Sequence, residues 1–149
     1  MSLYEEIAAQ LKTALKTKNK TALNALRGLR AVIKNKEVEL RRKLEDAEIV
    51  QLVAKQIKQR QDSIEQFKRG NRFDLVEKET QEIEILKQFL PPPLSEAELE
   101  QLLRQMIAEV GATGLRDMGK VMKKAMSQVQ GRAEGKVVSE MVKRLLASL

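Results

Sequence analysis

The run Pro91-Pro92-Pro93 constrains the fold of this chain more than any other feature. Proline fixes φ and has no backbone N–H to donate, so a helix cannot continue through three of them. A proline run of this kind favours a stiff, extended connection. We therefore predict an N-terminal domain over residues 1–90, a proline linker over 91–94 and a C-terminal domain over 95–149.

Apolar residues recur at helical spacing on both sides of the prolines, which predicts an all-α protein. The N-terminal pattern fits about four helices, and Ser2, Asn19 and Asp46 are predicted to cap the first three. Ser95 and Glu98 have the spacing of a capping box and open a small three-helix C-terminal domain. The last two helices are predicted to bury two apolar stripes, Met118, Val121, Met122, Ala125 and Val129, then Val138, Met141, Val142, Leu145 and Leu149.

The net charge of +7 is concentrated at the two ends of the chain. Residues 1–43 carry 11 basic and 4 acidic side chains, and residues 111–149 carry 8 and 3. Clustered lysines and arginines are typical of a surface that contacts phosphates. Long basic side chains also cover apolar neighbours at the rim of a core. The alternative interpretation is therefore that these residues form a solvated rim and bind no partner.

The composition argues against catalysis by this chain alone. The absence of cysteine and histidine excludes Cys- and His-dependent catalysis and also thiolate or imidazole metal sites. Glu77, Glu79, Glu82 and Glu84 do not converge on one helical face and are predicted to form a solvated surface. No catalytic, cofactor-binding or metal-binding residue is predicted, and a small hydrolase or amidase is the least favoured class.

The sequence also bears on location. A chain without cysteine fits a reducing compartment. Glu5 and Glu6 do not match the basic-then-apolar order of a signal peptide, and no apolar run approaches the length of a membrane span. We expect a cytoplasmic protein without a membrane partner.

A glycine-containing loop precedes the sixth predicted helix. Residues 114–120 match the start of the phosphate-binding G-x-x-x-x-G-K pattern, but Val121 stands where Ser or Thr would hold a metal, and no strand precedes the loop. A small helix capped by Asp117 is favoured instead. Gly119 lies in its first turn, where glycine costs about 1 kcal/mol relative to alanine. Either a packed helix or a ligand is expected to approach the backbone there.

Two motifs in the C-terminal third, separated by seven residues, carry a resemblance to a known family. Residues 117–123, DMGKVMK, and 131–138, GRAEGKVV, resemble the closing segment of the GatB/YqeY family. Glu134 stands where aspartate is common in that family, and Asn19 stands where an acidic residue is usual. Weaker matches extend the resemblance along the chain at residues 26–27, 58–64, 70–75 and 90–91.

The GatB/YqeY family comprises small stand-alone YqeY-like proteins and the tail domain of the B subunit of glutamine-dependent aminoacyl-tRNA amidotransferase. The resemblance implies contact with tRNA or another structured RNA. It also implies an association with carbon–nitrogen ligation that uses glutamine as amido-nitrogen donor, to which a chain of this length could only be accessory. The predicted contact residues are Arg116, Gly119, Lys120, Lys123, Lys124, Arg132 and Lys136, with Arg27, Arg30 and Lys34 as a second patch.

A protein-interaction adaptor is the alternative function. In this interpretation the C-terminal domain docks on a translation-related enzyme, such as an amidotransferase or another aminoacyl-tRNA-related protein, or on a ribonucleoprotein. Met126 and Leu146 near the rim of the domain are its expected apolar anchors.

Overall fold

The computed structural model describes residues 1–129 and 131–149, and it confirms the all-α prediction. Within those residues the chain forms seven α-helices. It divides into two compact units, Met1–Leu90 and Pro91–Leu149. None of the described helices is both long and apolar enough to cross a bilayer.

The N-terminal unit is built from four helices. They are α1 (Leu3–Thr17), α2 (Lys20–Leu40), α3 (Asp46–Arg69) and α4 (Phe73–Lys87). Helices α2 and α3 each contact all three of the other helices of this unit. The buried core is almost entirely aliphatic and includes Leu26, Leu29, Ile33, Ile49, Val53 and Leu86.

The predicted helix starts are confirmed at two positions and wrong at a third. The Ser2 hydroxyl accepts from the N–H of Glu5 at 3.2 Å, and the Asn19 side chain accepts from the N–H of Ala22 at 3.1 Å. Glu45, rather than Asp46, caps α3, because Glu45 and Glu48 satisfy each other's backbone N–H groups in a capping box. Asp46 is thereby free to accept from the N–H of Leu3 at 3.1 Å, which links the starts of α3 and α1.

The four glutamates of α4 do not share one environment. Glu77 and Glu84 are exposed, as predicted, but Glu82 is only 3% exposed and Glu79 is half-buried. Both of these pair with Arg60 of α3. The prediction of a uniformly solvated surface is therefore wrong, because Arg60 compensates the charge of the two carboxylates that face α3.

The C-terminal unit contains three helices and one short 3₁₀ turn. Helices α5 (Glu96–Val110), α6 (Met118–Val129) and α7 (Gly135–Ala147) contact one another, and the turn Leu115–Asp117 packs on α6 and α7. The Ser95 hydroxyl caps α5 by accepting from the N–H of Glu98, as predicted. The core of this unit comprises Leu99, Leu103, Met106, Ile107, Val121, Ala125, Val129, Val138, Met141, Val142, Leu145 and Leu146.

Candidate nucleic-acid surface

Helix α6 presents lysines on the face opposite its core. Lys120 and Lys123 are exposed, and Lys124 is half-buried. Spacings of three and four residues place the three lysines on one side of the helix. The other side buries Val121 and Ala125 completely. We call Lys120, Lys123 and Lys124 the lysine face of α6.

Lys124 differs from the other two members of the lysine face. Its ammonium group pairs with the carboxylate of Glu109 in α5. This ion pair offsets part of its charge and fixes its side chain against the neighbouring helix. Lys120 and Lys123 have no such pairing among the described residues, so they are better placed to meet an external anion.

The 3₁₀ turn carries Arg116 to the start of α6. Asp117 does not cap the helix as predicted, because it belongs to the turn that runs directly into α6. Its carboxylate instead accepts from the backbone N–H of Thr113 at 2.9 Å. That hydrogen bond, together with the Thr113 hydroxyl and the charges of Arg116 and Lys120, lowers the pKa of Asp117. Asp117 thus stays ionised and fixes the loop that holds the exposed Arg116.

Gly119 faces open space in the first turn of α6. Apart from its chain neighbours and the backbone of its own helix, no atom of the described residues lies within 4 Å of a Cβ atom added there. The expectation of a packed helix at this position is therefore wrong. The other expectation, close approach of a ligand to the backbone, stays a prediction.

Arg132 has a structural role at the beginning of the C-terminal unit. Its Nε–H donates to the carbonyl of Pro92 at 3.1 Å, while its own carbonyl accepts from the N–H of Leu94 at 2.8 Å. These two hydrogen bonds, which we call the Arg132 clasp, join the proline segment at residues 92–94 to the loop between α6 and α7. The guanidinium is half-buried there, so it is less accessible than Lys120 or Lys123.

Helix α7 contributes one predicted cation and one that sequence reasoning missed. Lys136 is exposed in the first turn of α7. Lys143 is also exposed and, at seven residues' separation, lies on the same side of the helix. The seven-residue spacing of the two lysines in the sequence was the signal that could have identified Lys143. Glu140 lies between them on that side and reduces the net charge.

The second predicted patch forms one side of a groove in the N-terminal unit. Arg27, Arg30 and Lys34 are exposed on α2. Together with Ala31 of the same helix and Leu11 and Leu15 of α1, they line a groove of about 400 Å³. The exposed apolar floor distinguishes this patch from the lysine face of α6.

The apolar anchors expected for an adaptor are not available. Leu146 is 2% exposed and belongs to the core of the C-terminal unit, so that prediction is wrong. The reason is that α7 packs against α5, α6 and the 3₁₀ turn, which buries Leu146 together with Leu145. Leu149 was predicted to complete the buried stripe of α7, but it is 64% exposed because it lies beyond the end of that helix. Met126 is half-buried and packs against the same core.

The fold and these surfaces define a class of small all-helical proteins with two compact units and cations on exposed helix faces. The family described as "Yqey-like protein" matches residues 4–146. The chain therefore belongs to the YqeY family, the stand-alone relative of the GatB tail domain.

Three fungal relatives carry the name "Altered inheritance of mitochondria protein 41, mitochondrial". The protein of Pyrenophora tritici-repentis is 33% identical over 95% of this chain and 80% of its own length. That of Lachancea thermotolerans is 42% identical over 67% of this chain, and that of Kluyveromyces lactis is 36% identical over 67%. The chain spans only 55% and 56% of the length of these last two relatives.

The names of these relatives contradict the predicted cytoplasmic location. All three are named as mitochondrial proteins. The prediction is wrong because it rested on the absence of cysteine and of a secretory signal pattern, and neither feature separates the cytoplasm from another reducing compartment.

Proposed function

We propose that this chain is an RNA-binding module that contacts tRNA through its C-terminal unit. The observation that carries the proposal is the pair of exposed lysines, Lys120 and Lys123, on a helix face that includes no acidic residue. Arg116 extends this cationic surface into the 3₁₀ turn before the helix. Lys136 of α7 is a further contact in this proposal.

The proposed contacts are with the RNA backbone. All four aromatic residues of the chain, Tyr4, Phe67, Phe73 and Phe89, lie in residues 1–90. The C-terminal unit therefore offers no aromatic platform on which unpaired bases could stack. Recognition by shape and phosphate position is the mode that fits a structured RNA such as tRNA.

Exposure and ion pairing support some of the predicted contact residues more strongly than others. Lys120, Lys123 and Arg116 rank first because they are exposed and have no ion-pair partner among the described residues. Lys124 ranks lower, because release from Glu109 would offset part of its gain from a phosphate. Arg132 ranks lower because an RNA contact would compete with the Arg132 clasp.

Family membership supports the RNA proposal through the relationship with the GatB tail domain. In this proposal any link to glutamine-dependent amidotransfer is accessory: the chain would hold or deliver RNA while another protein performs the ligation. Docking on another protein is the second candidate function, and the apolar floor of the groove between α1 and α2 favours it.

A salt titration of tRNA binding tests the proposal. We expect the double variant Lys120→Ala/Lys123→Ala to weaken binding and to reduce the slope of log K against log salt by about one to two. The matched control is Lys55→Ala/Lys58→Ala, which removes two exposed lysines from α3 of the N-terminal unit. Lys124→Ala should have a smaller effect than either Lys120→Ala or Lys123→Ala.

Two results would contradict the proposal. One is no tRNA binding by the unaltered protein at low salt. The other is a salt slope that stays the same when Lys120, Lys123 and Lys124 are replaced by alanine together.

A further inference from the structure

The groove between α1 and α2 combines positive charge with an exposed apolar floor. Arg27, Arg30 and Lys34 supply its charge from α2, while Leu11 and Leu15 supply apolar surface from α1. Leu15 is 52% exposed, although the preceding turn of the same helix buries Leu11 in the core. The groove thus leaves a large aliphatic side chain in contact with solvent beside three cations.

The cations of the groove have no acidic partner among the described residues. Each of the six lining residues is basic or apolar. Among the described residues, the ion pair of α2 joins Lys36 to Glu39. It involves none of the three cations of the groove. The lining therefore carries three uncompensated positive charges.

The positions of the cations match the repeat of a helix. Residues 27, 30 and 34 follow the i, i+3, i+7 spacing, which spans about 10 Å, or two helical turns. A helix lying along α2 with carboxylates at the same spacing would present one to each cation. Ala31 lies between the cations, and its small side chain leaves room for an apolar side chain above Leu15.

From this arrangement we infer that the α1–α2 groove is a docking site for an acidic amphipathic helix of a partner protein. Carboxylates on the flank of that helix pair with Arg27, Arg30 and Lys34. Its apolar stripe covers Leu15 and removes this side chain from water. A nucleic-acid backbone would satisfy the cations but would gain little from covering an aliphatic side chain, so the floor favours the helix.

A designed peptide provides a direct test with the full-length chain. The probe is a labelled helical peptide of roughly 18 residues, about five turns, with leucines along one face and glutamates flanking them. Its binding is followed by fluorescence anisotropy. We expect micromolar binding, and we expect Arg27→Glu/Lys34→Glu to weaken it at least about tenfold.

Two further comparisons separate apolar docking from simple charge attraction. Leu15→Asn keeps every charge but removes the apolar floor, and it should weaken peptide binding about threefold to tenfold. A second peptide with serine in place of each leucine should bind at least about tenfold more weakly than the first. The control Lys55→Glu/Lys58→Glu makes the same change in net charge on α3 and should leave peptide binding within about twofold.

The inference is overturned if the leucine peptide does not bind, or if it binds no more tightly than the serine peptide. It is also overturned if Arg27→Glu/Lys34→Glu weakens tRNA binding while peptide binding is unchanged. That last result would assign the groove to nucleic acid. All substituted residues of the groove are exposed, and the circular dichroism of each variant shows whether the helices are retained.

Discussion

The guanidinium of Arg60 in α3 donates to the buried carboxylate of Glu82 in α4. The same Nη1 atom lies 3.0 Å from a carboxylate oxygen of Glu79. A side chain at Gly28 of α2 would lie against this guanidinium, with Arg60 Nη2 3.7 Å from the added Cβ. Arg60 therefore lies where α2, α3 and α4 meet, and its charge compensates two carboxylates.

Replacement of Arg60 by alanine should destabilise the N-terminal unit strongly. It would leave Glu79 and Glu82 without a counter-charge, and loss of one partner of a buried ion pair costs about 3–5 kcal/mol. Urea unfolding followed by circular dichroism measures the change. The control Glu77→Ala removes an exposed carboxylate of the same helix and should change the free energy of unfolding by less than about 0.5 kcal/mol. An Arg60→Ala effect as small as the control would contradict this role.

Glu48 should make stability depend on pH in the acidic range. Hydrogen bonds from Arg42, and then from the backbone N–H of Glu45, lower its pKa from 4.5 to about 2. Because the folded-state pKa is depressed, the stabilisation is complete above pH 4.5 and is lost as the pH falls towards 2.

The pH effect can be isolated with the variant Glu48→Gln. The difference in free energy of unfolding between this variant and the unaltered chain should be constant near neutral pH and should narrow between pH 4.5 and 2. Taking the difference removes the contribution of the other carboxylates. A difference that does not change across this interval would contradict the assignment.

Gly119→Ala should affect stability and RNA binding in opposite directions. Gly119 is helical and lies in open space, so alanine should raise the free energy of unfolding of the C-terminal unit by about 0.5–1 kcal/mol. If RNA approaches the backbone at this turn, the added methyl group should weaken tRNA binding.

Thermal unfolding and tRNA titration of one protein sample measure both effects of Gly119→Ala. Ser127→Ala is the matched control, because Ser127 is exposed nearer the end of α6. It should not weaken RNA binding. Unchanged tRNA binding by Gly119→Ala would show that no ligand requires the glycine.

Because of the Arg132 clasp, we expect the stability of an isolated C-terminal unit to depend on the residue at which the fragment begins. A fragment of residues 91–149 retains Pro92 and Leu94, the two partners of Arg132, whereas a fragment of 95–149 lacks both. Loss of these two hydrogen bonds, together with the packing of Leu94 against the core, should lower stability by at least about 1–3 kcal/mol.

Circular dichroism melting of the two fragments measures this difference. We expect both to be helical, because the buried core residues lie beyond Leu94 in both fragments, and we expect the longer one to melt at the higher temperature. Equal melting temperatures would show that the clasp does not contribute to stability.

Local sequence signals were sufficient to predict most of the helices. The helix caps are local, because the side chains of Ser2, Asn19 and Ser95 each accept from a backbone N–H three residues further along the chain. The apolar stripes identify the buried face of each helix. Those signals do not show which helix lies opposite a given charge. Arg60 and Glu82 are 22 residues apart, so their pairing depends on how α3 and α4 pack.

The same limit applies to the candidate surfaces. The helical wheel placed Lys120, Lys123 and Lys124 together, and burial on the opposite face is consistent with that placement. The pairing of Lys124 with Glu109 depends on the packing of α5 against α6. The apolar floor of the α1–α2 groove was missed because Leu15 continues the apolar stripe of α1, although it is more than half exposed.

The scarcity of aromatic residues has a practical consequence for purification. With one tyrosine and no tryptophan, the protein itself absorbs little near-ultraviolet light. Nucleic acid carried through purification would dominate the spectrum of the sample. The absorbance ratio of a freshly isolated preparation, before and after a high-salt wash, is thus a first indication of whether RNA accompanies the protein from its host.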